Sequence, residues 1–176
     1  MLIIRKLIVD DHNALFDCNG MKYKEFPSDY SKVREYTREI LKSAPKDFLE
    51  GHLLEQQLSE IIKNGIKHGN KSDPLKKIHI WYDLRNRARF IVEDEGEGFT
   101  NLEEWNNYYY ERQLALHNSD MEKFLELASY RGPGSDENDG GNSLMAALDY
   151  WNGGIVYNKN KNKVGVIRWF THGSGL

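Results

Sequence analysis

Cysteine is almost missing from this chain. Cys18 is the single one in 176 residues, so no disulfide can close within the chain and a reducing compartment is the simpler expectation. Proline is scarce too, at four residues, and there is no internal repeat or biased linker at which to divide the sequence. One domain over 1–176 is therefore expected, long enough to bury a core. Long apolar runs are absent as well. The opening stretch Met1–Val9 is interrupted by Arg5 and Lys6, too short and too charged for the apolar region of a signal peptide, and no later segment is suited to span a bilayer. A cytoplasmic protein with no membrane contact is the expectation. Nor is there an excess of positive charge: the formal net charge is -3, which argues against a protein that tracks nucleic-acid phosphates. The phosphate-loop spacings G-x-x-x-x-G-K and G-x-G-x-x-G do not occur.

What is present is an ordinary globular composition, 39% hydrophobic and 29% charged, with readable periodicities. Residues 2–9 and 21–26 read as strands separated by a turn at Cys18-Asn19-Gly20. Ser28 reads as an N-cap, and Tyr30, Val33, Tyr36, Ile40 and Leu41 recur at helical spacing up to Pro45. A second helix is expected from about Asp47 to His68, with Leu54, Leu58, Ile61, Ile62, Gly65 and Ile66 as its apolar stripe and Gly69-Asn70 as its stop. Residues 77–82 and 89–92 form a hairpin pattern. Residues 100–139 are polar and aromatic-rich, helical in two pieces split near Asn118-Ser119-Asp120. They end in a glycine-rich stretch through Gly141. A helix from Ser143 to about Tyr150 and a hairpin of 155–157 with 163–170 complete the chain. This order predicts an α+β fold: a two-layer α/β sandwich whose mixed, mostly antiparallel sheet is covered on one face by helices.

Chemistry first shows in Glu60-Ile-Ile-Lys-Asn64-Gly-Ile-Lys67-His68-Gly69. On a regular helix Glu60, Asn64 and Lys67 lie within roughly 60° of one another. An amide oxygen one turn beyond a carboxylate is a suitable Mg²⁺ ligand, because it adds no negative charge beside a polyanion. Glu60 is then placed to act as a base toward a group attacking a terminal phosphate, and Lys67 to neutralise phosphate charge. The plain alternative is an amphipathic helix with a solvated polar edge and His68 as a helix-end residue.

The second constellation, Asp94-Glu95-Gly96-Glu97-Gly98-Phe99, directly follows a strand. Its alternate glycines allow backbone to approach a planar ligand, and a strand-end carboxylate can accept a hydrogen bond from an exocyclic amine. Three acidic side chains would repel phosphate, so the loop reads as a base-binding loop; an acidic turn is the plain alternative. Asp10-Asp11-His12 reads as a solvated turn, Tyr108–Tyr110 as lid packing, and Lys159, Lys161 and Lys163 as solvent-facing charge. Arg131 remains a candidate for reaching a terminal phosphate.

Together the motifs resemble those of the GHKL ATPases, the group of histidine kinases, gyrase-type topoisomerases, heat-shock chaperone ATPases and MutL-type repair proteins. Glu60-x-x-x-Asn64-x-x-x-His68-Gly69 looks like their N box, Asp94-x-Gly96-x-Gly98-Phe99 like the G1 box, and Gly140-Gly141-Asn142-Ser143-Leu144 like the G2 box. The resemblance covers about residues 21 to 170, and its layout is similar to that of bacterial anti-sigma-factor serine/threonine kinases. It implies a histidine-kinase-like ATPase fold with 1–20 as an N-terminal strand extension and 100–141 as a lid over the phosphates. It further implies ATP and Mg²⁺ as cofactors, Glu60 as catalytic base, Asn64 as metal ligand and Asp94 as adenine partner. Lys67, His68, Gly96, Gly98, Phe99, Gly140, Gly141, Ser143 and Leu144 would complete the nucleotide site. The implied partner is a regulatory protein of the sigma-factor or anti-sigma-antagonist kind, with a homodimer left open. The sequence departs from the family at Ser143, where a glycine is usual, and at Gly165-Val166-Ile167, where many relatives carry a threonine after a glycine. Its lid is also longer than in compact anti-sigma kinases. These departures bear on turnover more than on nucleotide binding. The alternatives are a nucleotide-gated binding module with little catalysis and a histidine-kinase catalytic domain acting in trans.

Overall fold

Alternation along residues 77–83 sets the inner face of the sheet. In a computed structural model that describes residues 4–128, 130 and 143–170, β3 (Lys77–Asp83) buries Ile78, Ile80 and Tyr82 and leaves His79, Trp81 and Asp83 half-exposed. Side chains two apart share a face of a strand, so the register carries this face across the sheet. Ile78, Ile80 and Tyr82 pair with Asp94, Val92 and Phe90 of β4 (Ala88–Asp94), and Val92 and Phe90 with Val164 and Val166 of β6 (Lys163–Arg168). With β1 (Ile8–Val9), β2 (Lys22–Pro27) and β5 (Gly154–Tyr157), the strands form a six-stranded sheet in the order β1-β5-β6-β4-β3-β2. Only the β1–β5 pair is parallel.

Helices cover the inner face. Along α1 (Val33–Leu41), Val33, Tyr36, Thr37, Ile40 and Leu41 are buried, the one-sided stripe of an amphipathic helix. Leu54, Leu58 and Ile62, one turn apart on α2 (Leu53–Asn64), are wholly buried. The two helices are joined where Ser59 Oγ donates to Thr37 Oγ1 at 3.0 Å. Trp105 and Tyr109 of α3 (Leu102–His117) stack at 5.2 Å and join the same core. Further along, α4 (Met121–Glu126) is capped by Asp120, and α5 (Ser143–Tyr150) buries Ala147, Leu148 and Tyr150. The expected two-layer α/β sandwich is the architecture found.

Several local expectations are corrected. The second helix is not continuous from Asp47: a 3-10 segment, Lys46–His52, precedes α2, and His52 breaks the path with a left-handed φ of 74°. After Asn64 the chain widens into a π-helical turn, Gly65–Gly69. Ser28 is not a helix cap. Asp29 takes that role, its side chain accepting from the Ser31 amide, while Ser28 is buried and accepts a hydrogen bond from Asn70. Among the described residues, the expected first strand is paired only at Ile8 and Val9, and the last strand stops at Arg168. Tyr108 is tied to Leu127 O, and Tyr109 is buried, whereas Tyr110 is exposed. Lys163 is partly exposed on the outer face and pairs with Glu93 at 3.0 Å.

The outer face of the sheet carries a strap from the N-terminal segment. Its 3-10 turn, Ala14–Phe16, lies over Gly165, where an added Cβ would come within 3.1 Å of Leu15 Cβ. Buried Arg89 reaches out from β4 and donates through Nη2 to the carbonyls of Ala14, Leu15 and Asp17. Asn106 of α3 holds the preceding residue stretch, accepting from Leu7 N and donating to Leu7 O, both at 2.9 Å.

Candidate functional site

The two sequence motifs meet through glycines. Asp94 ends β4 on the helix-covered face of the sheet, and its carboxylate lies against the π turn that continues α2. A Cβ on Gly69 would stand 2.2 Å from Asp94 Cγ, and one on Gly65 would stand 3.7 Å from Asp94 Cβ. A Cβ on Gly96 would fall 1.7 Å from Gly69 O. At Gly69 and Gly96 there is no room for a Cβ, whereas the Gly65 distance to Asp94 is ordinary contact; the two tight approaches lock the loop after β4 onto the end of the helix that carries Glu60 and Asn64. The widened turn is part of this fit. Asn70 N donates to Gly65 O at 2.8 Å, five residues back, which pushes Gly69 out toward Asp94; single π turns of this kind recur at functional sites.

Asn70 was expected only as a helix stop. Its side chain is fully buried and links three segments, donating to Ser28 Oγ at 2.7 Å and Lys77 O at 2.8 Å and accepting from Glu95 N at 2.7 Å. On the other side of the loop, Asn162 Nδ2 donates to Asp94 O at 2.9 Å, and Phe99 N to Lys161 O at 2.9 Å. Gly98 has a φ of 75° and packs so closely on Lys161 that an added Cβ would lie 2.3 Å from its carbonyl carbon. These bonds hold both ends of 94–99, so the loop is built rather than draped.

Asp94 is 8% exposed. Burial, opposed by a hydrogen bond from Gly96 N at 2.9 Å and reinforced by Glu93, lifts its pKa from the usual 3.8 to about 6. A charge left unpaired in an apolar setting is unfavourable. Two strands across the same face, Tyr157 of β5 packs against Phe99 with ring centroids 5.9 Å apart. Burial and the Asp94 charge push the Tyr157 hydroxyl above the usual phenol range.

On α2, Glu60 and Asn64 are both half-buried, one turn apart. Glu60 forms an ion pair with Lys63 at 2.6 Å. Lys67 is half-buried and His68 exposed on the π turn. The regular 100° step assumed from the sequence therefore stops at Gly65, and the angular relation of Lys67 to Glu60 changes with it. Ser143 and Leu144 open α5, with Leu144 packed on the core. Gly140, Gly141, Arg131 and the end of the expected lid lie outside the described residues.

Of two surface hollows, one of about 600 Å³ lies between α1 and the edge of β2, lined by Phe26, Tyr36 and Lys42 among others. The other, about 380 Å³, lies on the outer face between His79, Trp81, Glu93, Asp94, Glu95 and Asn162. Neither is lined by Glu60 or Asn64. The outer-face group is internally neutralised: His79 bonds Tyr23 and Glu95, Lys77 bonds Glu25, and Lys163 bonds Glu93. No group of metal-ligating side chains stands assembled among the described residues, so a lone amide such as Asn64 would need oxygens from a phosphate and water to hold Mg²⁺. Compared with known proteins, the chain matches no protein-family model and no curated protein.

Proposed function

We propose that this chain is a Mg-ATP-binding regulatory protein of the GHKL type, akin to the anti-sigma-factor serine/threonine kinases. The observation that carries this reading is the interlock of Gly69, Asp94 and Gly96, which sets a buried strand-end carboxylate beside the helix that bears Asn64. An acceptor enclosed in apolar surroundings selects a ligand that brings a donor with it, such as the exocyclic amine of adenine. Phosphates extending from that base toward α2 would meet Asn64 as one oxygen ligand of a bridging Mg²⁺ and Lys67 as a compensating charge. Asn64 suits such an ion in donor type, and the water and phosphate oxygens would supply the rest. In the kinase reading Glu60 takes the proton of a partner's hydroxyl as the γ-phosphoryl group moves to it. The partner is then a regulatory protein, and the reaction exchanges one phosphate–oxygen bond for another.

A second reading is favoured by one contact, the 2.6 Å pairing of Glu60 with Lys63. A carboxylate already engaged by a neighbouring ammonium is less available to a partner's hydroxyl, which suits a nucleotide-gated binding module with little turnover. Labelled ATP with candidate partners separates the two. The kinase reading expects a labelled serine or threonine that is lost in Glu60→Gln, with nucleotide affinity retained. Turnover unchanged in Glu60→Gln would remove Glu60 as the base, and binding without any phosphoprotein would favour the module.

A further inference from the structure

Tyr157 was absent from every sequence motif, yet it lies in the neighbourhood of Asp94. It pairs with Val164, Val164 pairs with Val92, and Val92 shares its face of β4 with Asp94. Two strand spacings, about 10 Å, separate β5 from β4. Phe99, whose amide is anchored to Lys161 O, closes the gap at the end of the sheet and packs on the Tyr157 ring at 5.9 Å. Tyr157 is half-buried. A tyrosine buries an apolar ring and presents a hydroxyl that ordinarily takes a hydrogen-bond partner.

We infer that Tyr157 is a specificity-determining residue for the base bound at Asp94, donating its hydroxyl hydrogen to a ring nitrogen of a 6-aminopurine. This rests on the nucleotide-binding reading above. The pair then presents an acceptor, the Asp94 carboxylate, and a donor, the Tyr157 hydroxyl. Adenine carries the complement on adjacent atoms, an amine donor at N6 and a lone pair at N1. The raised pKa of the phenol keeps its proton in place throughout the physiological range, so it remains a donor. Phe99 holds the ring and leaves only the hydroxyl to read the base.

The test uses the full chain and four calorimetric titrations: ATP and 1-deaza-ATP, which lacks the N1 lone pair, each against wild type and Tyr157→Phe. The inference expects Tyr157→Phe to weaken ATP about tenfold, the worth of one hydrogen bond. It expects wild type to lose about the same factor toward 1-deaza-ATP, and the variant to show no preference between the two ligands. The wild-type comparison needs no mutation, so it stands even if the variant folds poorly. Equal ATP affinity in wild type and variant, or a wild type indifferent to the loss of N1, overturns the role of Tyr157 while leaving nucleotide binding intact. A wild type that binds neither ligand overturns both.

Discussion

Replacing Asp94 with Asn should stabilise the protein while removing the carboxylate proposed to receive adenine. The residue is 8% exposed and the pKa of its carboxyl stands at about 6 instead of 3.8. At about 1.4 kcal/mol per pH unit, this corresponds to about 3 kcal/mol of destabilisation carried by the charged form. The direction follows from proton binding. Between 3.8 and about 6 the folded protein holds a proton that the unfolded chain has released, so stability falls as pH rises through that window and is lowest above it. Asparagine has the same shape and keeps an oxygen for Gly96 N, but its amide hydrogens need an acceptor, which offsets about 1 kcal/mol. Asp94→Asn should therefore be about 1–3 kcal/mol more stable than wild type at pH 7.5, and nearly equal to it below pH 4. Urea denaturation at both pH values measures this. A difference that is the same at pH 7.5 and pH 4, or a variant less stable at pH 7.5, would refute the argument that Asp94 is a strained buried charge.

Other substitutions probe the support of the site. Gly96→Ala must displace the Gly69 carbonyl, which a Cβ would meet at 1.7 Å; a loss of about 1–3 kcal/mol or more is expected in denaturant unfolding. Asn70→Ala removes three hydrogen bonds made by a buried side chain and strands Glu95 N and Lys77 O. It should lose about 2–4 kcal/mol and speed amide exchange at Glu95. Asn106→Ala releases both bonds to Leu7, so exchange at Leu7 should rise while the protection of β3 and β4 is kept.

The sheet and its helices were legible because their signals are local. Ile78-His79-Ile80-Trp81-Tyr82 alternates as a half-buried strand must, and Leu54, Leu58 and Ile62 repeat at one helical turn. Asp94 was legible for a similar reason: a carboxylate ending a strand before two glycines is visible in six residues. The π turn was not, because Gly65–Gly69 reads as ordinary helix until Asp94, more than twenty residues on, claims the space beside Gly69. Asn70 passed for a helix stop because its partners Ser28, Lys77 and Glu95 are scattered along the chain. Tyr157 looked like one more strand residue, since only the register of β5 on β6 brings it toward Asp94. The ion pair of Lys163 was hidden for the same reason; Glu93 is its cross-strand partner.

Titration of the full chain with a non-hydrolysable ATP analogue, with and without Mg²⁺, addresses the central claim most directly. Saturable binding is predicted, strengthened by Mg²⁺ in wild type, insensitive to Mg²⁺ in Asn64→Ala and lost in Asp94→Asn. No saturable binding at millimolar analogue, or binding that survives intact in Asp94→Asn, would contradict the account.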